Sequence, residues 1–260
     1  MVKLSANLGF LWAELPLPTA IRAAGAAGFD AVECHLPYDV DPGEVNEVLA
    51  ETNLPMLGLN TRPGDPSAGG PGLSAIPGRN EEARAHITEA IGYAASIDCR
   101  HVHVMAGRAA GPEARTTYVD NLTYAAARAA EVGLNVVIEP INQRDIPGYF
   151  LSGVELAAAI VDEVGADNLR IMFDCYHVQV TATLQGHSGD LLRRFEAHLP
   201  LIGHVQFAGV PSRAEPDDSE VDYAWLLPQL WAAGYEGFAG AEYRPRTTTD
   251  AGLQWMAAMR

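Results

Sequence analysis

The chain has few cysteines and few basic side chains, and each shortage excludes a class of protein. Three cysteines, Cys34, Cys99 and Cys175, are too few and too widely spaced for a disulfide framework or a CxxC zinc knuckle. Lys and Arg number 17 against 33 Asp and Glu, which gives a net charge of -16 at pH 7. Because that charge repels phosphate backbones and anionic lipid, we expect a protein that binds neither nucleic acid nor a membrane surface.

Long apolar runs are also missing. No stretch approaches the ~20 apolar residues that span a bilayer. The apolar stretch Leu8–Trp12 is too short for the core of a signal peptide, and Glu14 follows it. Since a chain without a disulfide framework suits a reducing compartment, we expect a cytoplasmic protein.

Short apolar runs instead alternate with Ala-rich stretches of helical character. The runs predict eight strands, at Leu4–Leu8, Ala31–His35, Met56–Asn60, His101–Met105, Val136–Glu139, Arg170–Asp174, Ile202–Phe207 and Gly237–Glu242. A helix is predicted after each of the first seven, at Thr19–Ala27, Asp41–Glu51, Asn80–Ile97, Glu113–Val132, Val154–Glu163, Ser188–Leu199 and Tyr223–Ala233. An eighth predicted helix, Asp250–Met259, closes the chain. Each unit has roughly 32 residues, about the length of one βα unit.

This alternation predicts an α/β protein with a parallel sheet, and eight units predict a single (β/α)8 TIM barrel over residues 1–260. The alternative is a doubly wound open sheet, which usually carries a glycine-rich phosphate fingerprint at its first βα turn. Here that turn reads Asn7-Leu8-Gly9-Phe10-Leu11-Trp12 and has no such fingerprint.

One connection is unusually long and rich in turn residues. The segment Arg62–Arg79 contains five Gly and four Pro, so most of it cannot be helix or strand. It follows the third predicted strand, on the face where barrel active sites lie. We interpret it as a lid over the barrel mouth, with a flexible surface excursion as the alternative.

Polar side chains end four consecutive predicted strands. They are Glu139, Asp174, Gln206 and Glu242. A carboxylate in apolar surroundings is costly unless a cation compensates it. Three carboxylates and an amide form an all-oxygen set, which suits Mg²⁺ or Mn²⁺ better than zinc. We therefore predict a shared divalent metal site, although single acids at strand ends are more often helix caps or surface residues.

Histidine and arginine side chains surround this predicted site. His177 lies three residues after Asp174, where we expect a loop, and could reach a substrate oxygen or bond a loop carbonyl. Six arginines fall in the predicted βα loops, at Arg62, Arg79, Arg108, Arg213, Arg244 and Arg246. A small anionic substrate would favour a bidentate guanidinium near the metal. Arg213 and Arg244 are the better candidates because they follow the strands of Gln206 and Glu242, and we expect surface salt bridges for at least half of the six.

The sequence resembles the hydroxypyruvate isomerase family, within the xylose-isomerase-like barrels, and the closely related 2-oxo-tetronate isomerases. The resemblance runs from end to end of the chain. The matching stretches are Ser5-Ala6-Asn7-Leu8, Pro37-Tyr38-Asp39, Ile76-Pro77-Gly78-Arg79, Glu139-Pro140-Ile141-Asn142, Asp145-Ile146-Pro147-Gly148, Asp174-Cys175-Tyr176-His177, Gly203-His204-Val205-Gln206, and Thr247-Thr248-Thr249 with Ala251-Gly252-Leu253.

The resemblance implies that Glu139, Asp174, Gln206 and Glu242 bind the metal and that Glu139 and Glu242 exchange protons with the substrate. It implies conversion of hydroxypyruvate to tartronate semialdehyde through an enediolate, and a small anionic oxo-acid as the substrate. His177, Arg213 and Arg244 would then bind that substrate.

Several other functions stay open. A 2-oxo-tetronate isomerase or a ketose 3-epimerase would use the same barrel and the same chemistry. A metal-dependent hydrolase of the endonuclease IV kind would need several histidine ligands and a basic surface, and the acid-rich set and the net charge of -16 argue against it. A barrel that binds a metabolite without turnover is a further alternative, against which the pair of glutamates argues. The sequence leaves the oxo-acid, the metal and a homo-oligomeric assembly open.

The chain also departs from the family pattern. Gly209 and Val210 stand where the pattern has Asp and Asn, and Arg244 stands where it has Lys. The first change removes two polar groups near the mouth and bears on specificity, whereas the second keeps a cation.

Overall fold

Eight parallel strands form one sheet in the residues that the computed structural model describes, 2–64, 70–187 and 190–259. The strands are β1 Leu4–Asn7, β2 Ala31–Glu33, β3 Gly58–Asn60, β4 His101–His103, β5 Asn135–Ile138, β6 Leu169–Asp174, β7 Ile202–Phe207 and β8 Ala239–Ala241. Their order in the sheet is β2-β1-β8-β7-β6-β5-β4-β3.

Hydrogen bonds between β2 and the segment that leads into β3 close this sheet. Leu57 N donates to Val32 O over 2.7 Å, and Cys34 N donates to Gly58 O over 3.0 Å. Residues Leu4 and Ala239 are paired where the last strand meets the first. The predicted (β/α)8 barrel is therefore confirmed.

Helices follow the strands on the outside of the barrel. The α-helices are α1 Leu17–Ala26, α2 Pro42–Thr52, α3 Asn80–Ser96, α4 Gly111–Ala130, α5 Val154–Val164, α6 Cys175–Leu184, α7 Leu191–His198 and α8 Tyr223–Ala232. Local signals set some ends: Asp41 caps α2 by accepting from Gly43 N over 2.8 Å. Gly165, with φ of 65°, ends α5 in the left-handed conformation that glycine tolerates.

The helices differ from the prediction after β6 and at the end of the chain. Two helices, not one, follow β6: α6 begins directly after Asp174, and α7 spans Leu191–His198 where Ser188–Leu199 was predicted. Ser188 and Gly189 lie outside the described residues. The last predicted helix is a 3₁₀-helix over Asp250–Ala258.

Apolar side chains fill the space between the sheet and the helices. Leu4, Val102, Val136 and Ile171 from the strands are fully buried in this core. Burial of one such side chain contributes roughly 1.5–3 kcal/mol. Among the described residues, no helix is long and apolar enough to cross a bilayer.

The three cysteines belong to this core. Cys34, Cys99 and Cys175 are unpaired and buried. Burial raises the pKa of all three thiols, that of Cys99 to about 12.

The described parts of the predicted lid lie beside the segment that follows β4. Ser74 N donates to Met105 O over 3.3 Å, and Ala75 N donates to Ala106 O over 2.8 Å. Gly72 also forms an antiparallel bridge with Ala106. The segment therefore lies at the carboxyl ends of the strands, whereas its residues 65–69 fall outside the described part of the chain.

Candidate metal centre

The structure brings the four predicted metal ligands to the carboxyl end of the barrel. Glu139 directly follows β5, Asp174 is the last residue of β6, Gln206 lies in β7 and Glu242 directly follows β8. All four are at most 6% exposed. Ligand atoms of three of them and of His177 all lie within 4.8 Å of one another. This spacing allows one ion to contact several of these atoms.

Three buried oxygens in this group lack a protein partner. Among the described residues, no donor bonds Glu139 Oε1, Asp174 Oδ2 or Gln206 Oε1. A buried acceptor without a partner costs about 1–3 kcal/mol, and more when it is charged. A hard divalent cation takes oxygen ligands of this kind. The donor set therefore fits such an ion.

The local fold determines which oxygen of each side chain is free. Asp174 caps α6, because its Oδ1 accepts from Tyr176 N over 2.8 Å, and this leaves Oδ2 for the site. Gln206 donates from Nε2 to Glu33 Oε2 over 2.8 Å, which leaves its Oε1. The chain thus orients both groups before any ion binds.

Among the described residues, Glu242 has the most hydrogen-bond partners of the four predicted ligands. Asn7 Nδ2 donates to its Oε1 over 3.0 Å, and His35 Nε2 lies 3.2 Å from the same oxygen. Arg213 Nη2 donates to its Oε2 over 2.6 Å. Burial alone would raise the pKa of Glu242, but Arg213 and His35 outweigh it and lower the pKa to about 2. This carboxylate is ionised across the physiological range.

The other two carboxyl groups have the opposite tendency. Burial raises the pKa of Glu139 well above its usual value, and the charges of Glu242 and Asp174 add to the effect. Burial, followed by the charge of Glu242, raises the pKa of Asp174 to about 7. A bound cation would favour the ionised form of both.

His177 lies in the first turn of α6, so its predicted place in a loop is wrong. The Asp174 cap starts the helix with no intervening loop. His177 Nε2 lies 3.5 Å from Glu139 Oε1 and 3.7 Å from Asp174 Oδ2. Its Nδ1 accepts from Asn142 N over 3.3 Å, so Nε2 carries the proton and faces the carboxylates. Burial and the charge of Arg213 lower the pKa of His177 to about 3 and keep the ring neutral.

Arg213 lies at the mouth, between two aromatic rings. Its guanidinium carbon is 5.0 Å from the ring centre of Phe10 and 5.2 Å from that of Tyr176. Its side chain is 14% exposed. Its Nε is buried and has no hydrogen-bond partner among the described residues. Burial opposes the charge of Arg213, but Glu242 and Asp174 outweigh it and raise the pKa.

The remaining predicted arginines lie further out. Arg244 is exposed, 5.7 Å from the Phe10 ring centre. Arg62, Arg79 and Arg246 pair with the carboxylates of Glu89, Glu82 and Glu215. Arg108 donates to Pro147 O over 3.1 Å. Three of these arginines thus form ion pairs: those of Arg62 and Arg79 lie on the surface, whereas Arg246 pairs with the buried Glu215.

The unexpected glycine at the mouth is explained by its neighbours. A Cβ on Gly209 would lie 2.4 Å from Glu215 O, so a side chain there would collide with the backbone. Gly209 O accepts from Arg213 N over 2.7 Å, and Gly209 N donates to Ala214 O over 2.8 Å. Gly209 thus forms the turn that carries Arg213.

The sequence interpretation missed Asn7, Glu33 and His35, all of which are close to the site. They lie in β1, at the end of β2 and just after β2. The available signal was the charged Glu33 inside the apolar run Ala31–His35.

Comparison with known proteins agrees with this architecture. Residues 21–259 match the family model of the xylose isomerase-like TIM barrel. A 2-oxo-tetronate isomerase of Cupriavidus necator is 42% identical over 260 residues, which cover 98% of each chain. Hydroxypyruvate isomerase of Escherichia coli is 37% identical over 264 residues, which cover 100% of each chain.

A solved structure shows the same fold. The crystal structure of a Brucella melitensis protein named AP endonuclease, family 2, superposes with a TM-score of 0.92 and is 38% identical, with 100% of each chain covered.

Proposed function

We propose that the substrate is a small anionic oxo-acid, because the chain belongs to the xylose isomerase-like TIM barrel family and its full-length relatives are isomerases of such acids. The prediction of an isomerase is confirmed by these relatives. The reaction is the conversion of hydroxypyruvate to tartronate semialdehyde, or its four-carbon counterpart on a 2-oxo-tetronate. The observation that carries the proposal is the group of three buried oxygens that lack a partner among the described residues, together with Arg213, which is paired with Glu242 of the same site.

A divalent ion, Mg²⁺ or Mn²⁺, would be held by Glu139, Asp174, Gln206 and Glu242. When bound, it polarises the oxygens of the substrate and stabilises negative charge that develops on them.

The side chains of the site supply the proton transfers. Isomerisation removes a proton from one carbon and returns one to its neighbour, and the substrate passes through an enediolate. Glu139 and Glu242 flank the site from β5 and β8 and serve as the proton donor and acceptor. The neutral His177 donates a hydrogen bond from Nε2 to a substrate oxygen in this arrangement.

Arg213 would bind the carboxylate of the substrate. Its Nη2 bonds Glu242, while its Nε–H has no partner among the described residues and is available for an anion. Arg244 adds positive charge at the rim. Three unpaired thiols in the chain support a cytoplasmic location.

An assay over three- and four-carbon oxo-acids tests the proposal. Metal-free protein is incubated with hydroxypyruvate, a 2-oxo-tetronate, fructose or tagatose, with and without Mg²⁺ or Mn²⁺. We expect turnover of an oxo-acid that requires metal and stops with chelator. Faster turnover of a neutral ketose would make the protein a 3-epimerase. Cleavage of abasic-site DNA in a parallel incubation would make it a hydrolase.

A further inference from the structure

Glu33 is a buried carboxylate that the proposed mechanism does not use. It ends β2 and is 3% exposed. Ser5 Oγ donates to its Oε1 over 2.8 Å, and Gln206 Nε2 donates to its Oε2 over 2.8 Å. His204 Nε2 lies 3.1 Å from the same Oε2. Three neighbours thus converge on one acceptor inside the barrel.

The bond between Glu33 and Gln206 determines how the amide is oriented. A carboxylate only accepts hydrogen bonds, so Gln206 must present its NH₂ group to Glu33. The other end of the amide is Oε1, the buried oxygen without a partner among the described residues. If the amide were rotated by 180°, Gln206 Oε1 would face Glu33 Oε2, and the NH₂ group of Gln206 would face the metal centre.

The neighbouring strand leaves room for this carboxylate. Gly240 of β8 pairs with Gln206 of β7. A Cβ on Gly240 would lie 2.0 Å from Glu33 Oε1 and 3.0 Å from Gln206 Cγ. Glycine is therefore required at position 240, because the Glu33 side chain occupies the space that a Cβ would need.

We infer that Glu33 is a positioning residue, which holds the Gln206 amide with its oxygen toward the metal and increases the electron density on that oxygen. The inference rests on the proposed metal centre. Hydrogen-bond partners of metal ligands orient them and raise their basicity, and their loss typically weakens metal binding about 10- to 100-fold.

A double-mutant cycle on the full-length chain tests this role. Metal-free protein is titrated with Mn²⁺, and the affinity is measured by calorimetry and by the spin-resonance signal of free Mn²⁺. With the native Gln206 in place, we expect Glu33→Met, which removes the acceptor of Gln206 Nε2, to weaken Mn²⁺ binding about 10- to 100-fold. In the Gln206→Glu background the same change should cost less than about threefold, because the two oxygens of a carboxylate at position 206 are equivalent and need no partner to orient them.

Ser5→Ala is the matched control, because it removes a hydrogen bond to Glu33 but leaves the bond to Gln206 intact. It should lower the melting temperature and change Mn²⁺ affinity less than about threefold. If Glu33→Met does not fold, Glu33→Asp carries the same test, since its shorter side chain withdraws the carboxylate from Gln206.

Different results would contradict the metal centre and the role of Glu33. Wild-type protein that binds no Mn²⁺ would remove the proposed metal centre itself. If the wild-type protein binds Mn²⁺, three results would overturn the role of Glu33 and leave the metal centre standing. They are an undiminished affinity in Glu33→Met, equal losses in both backgrounds of position 206, and an equal loss in Ser5→Ala.

Discussion

Arg213 Nη2 donates to Glu242 Oε2 over 2.6 Å, and so joins the proposed anion-binding group to the proposed proton acceptor. The backbone of Arg213 has φ of 58°, a left-handed conformation that few non-glycine residues adopt. Strained backbone of this kind clusters at functional sites. The contact means that substrate binding and proton transfer depend on the same guanidinium.

Replacement of Arg213 should impair recognition of an anionic substrate more than replacement of Arg244. Loss of a charge-assisted hydrogen bond costs roughly 1.5–3 kcal/mol, so Arg213→Met should reduce kcat/KM for the oxo-acid about 10- to 100-fold. Arg244→Met is the control, since Arg244 is exposed at the rim, and should change kcat/KM less than about threefold. Steady-state kinetics of both variants checks this, and equal losses would argue against a specific role for Arg213.

The two glutamates should be distinguishable from a residue that only binds metal. Glu139→Gln and Glu242→Gln keep the size and one ligating oxygen but remove the base. At saturating metal, kcat should stay about 10²- to 10⁴-fold low in both. Asp174→Asn is the control and should recover in part as metal is raised. Full recovery of the glutamate variants by excess metal would reduce both residues to ligands.

Metal binding should release protons below about pH 7. The pKa of Asp174 is raised to about 7 and that of Glu139 is raised as well, so both bind protons that an incoming cation must displace. Affinity should therefore fall as the pH falls through 7. Calorimetry at pH 6 in buffers of different ionisation enthalpy measures the release, and Asp174→Asn should release less. No proton release at pH 6 would contradict the raised pKa values.

The same shifts predict how the metal-free protein responds to pH. A carboxyl whose pKa is raised from 3.8 to about 7 on folding binds its proton more tightly in the folded state. Its contribution to stability is complete below the unfolded pKa and is lost as the pH rises toward 7. Thermal melts with and without Mn²⁺ should show a larger stabilisation by metal at pH 8 than at pH 5.

Gly209→Ala should damage both stability and substrate binding. The new Cβ would lie 2.4 Å from the backbone oxygen of Glu215, and relief of such a clash costs about 1–3 kcal/mol. The turn that carries Arg213 would shift, so KM for the oxo-acid should rise. Gly92→Ala is the control, because a Cβ there meets nothing within 4 Å in α3, and it should stabilise by about 0.4–1 kcal/mol. An unchanged KM in Gly209→Ala would separate this turn from substrate binding.

The carboxyl ends of the strands were predictable from the sequence because a parallel barrel collects them on one face. This rule alone placed Glu139, Asp174, Gln206 and Glu242 together. It could not place His177, since Asp174 caps a helix whose first residues, Cys175 and Tyr176, carry no strong helix signal.

Contacts between the first and last strands of the barrel could not be predicted from the sequence. Asn7 and His35 are 235 and 207 residues from Glu242 along the chain, and only closure of β8 against β1 brings them within hydrogen-bond distance. Glu33 is 173 residues from Gln206 along the chain, and the same closure brings these two side chains together. The period of a strand determines which residues point inward, but the partner of each depends on the register between distant strands.

The burial of all three native thiols makes the chain suitable for site-specific labelling. Cys34, Cys99 and Cys175 are enclosed, and burial raises their pKa values, so thiol reagents near neutral pH should leave them unmodified. A single cysteine introduced at an exposed position, Arg244 for instance, would then carry a spin label or fluorophore without a cysteine-free background. The distance from such a probe to bound Mn²⁺ could be measured in the otherwise native protein.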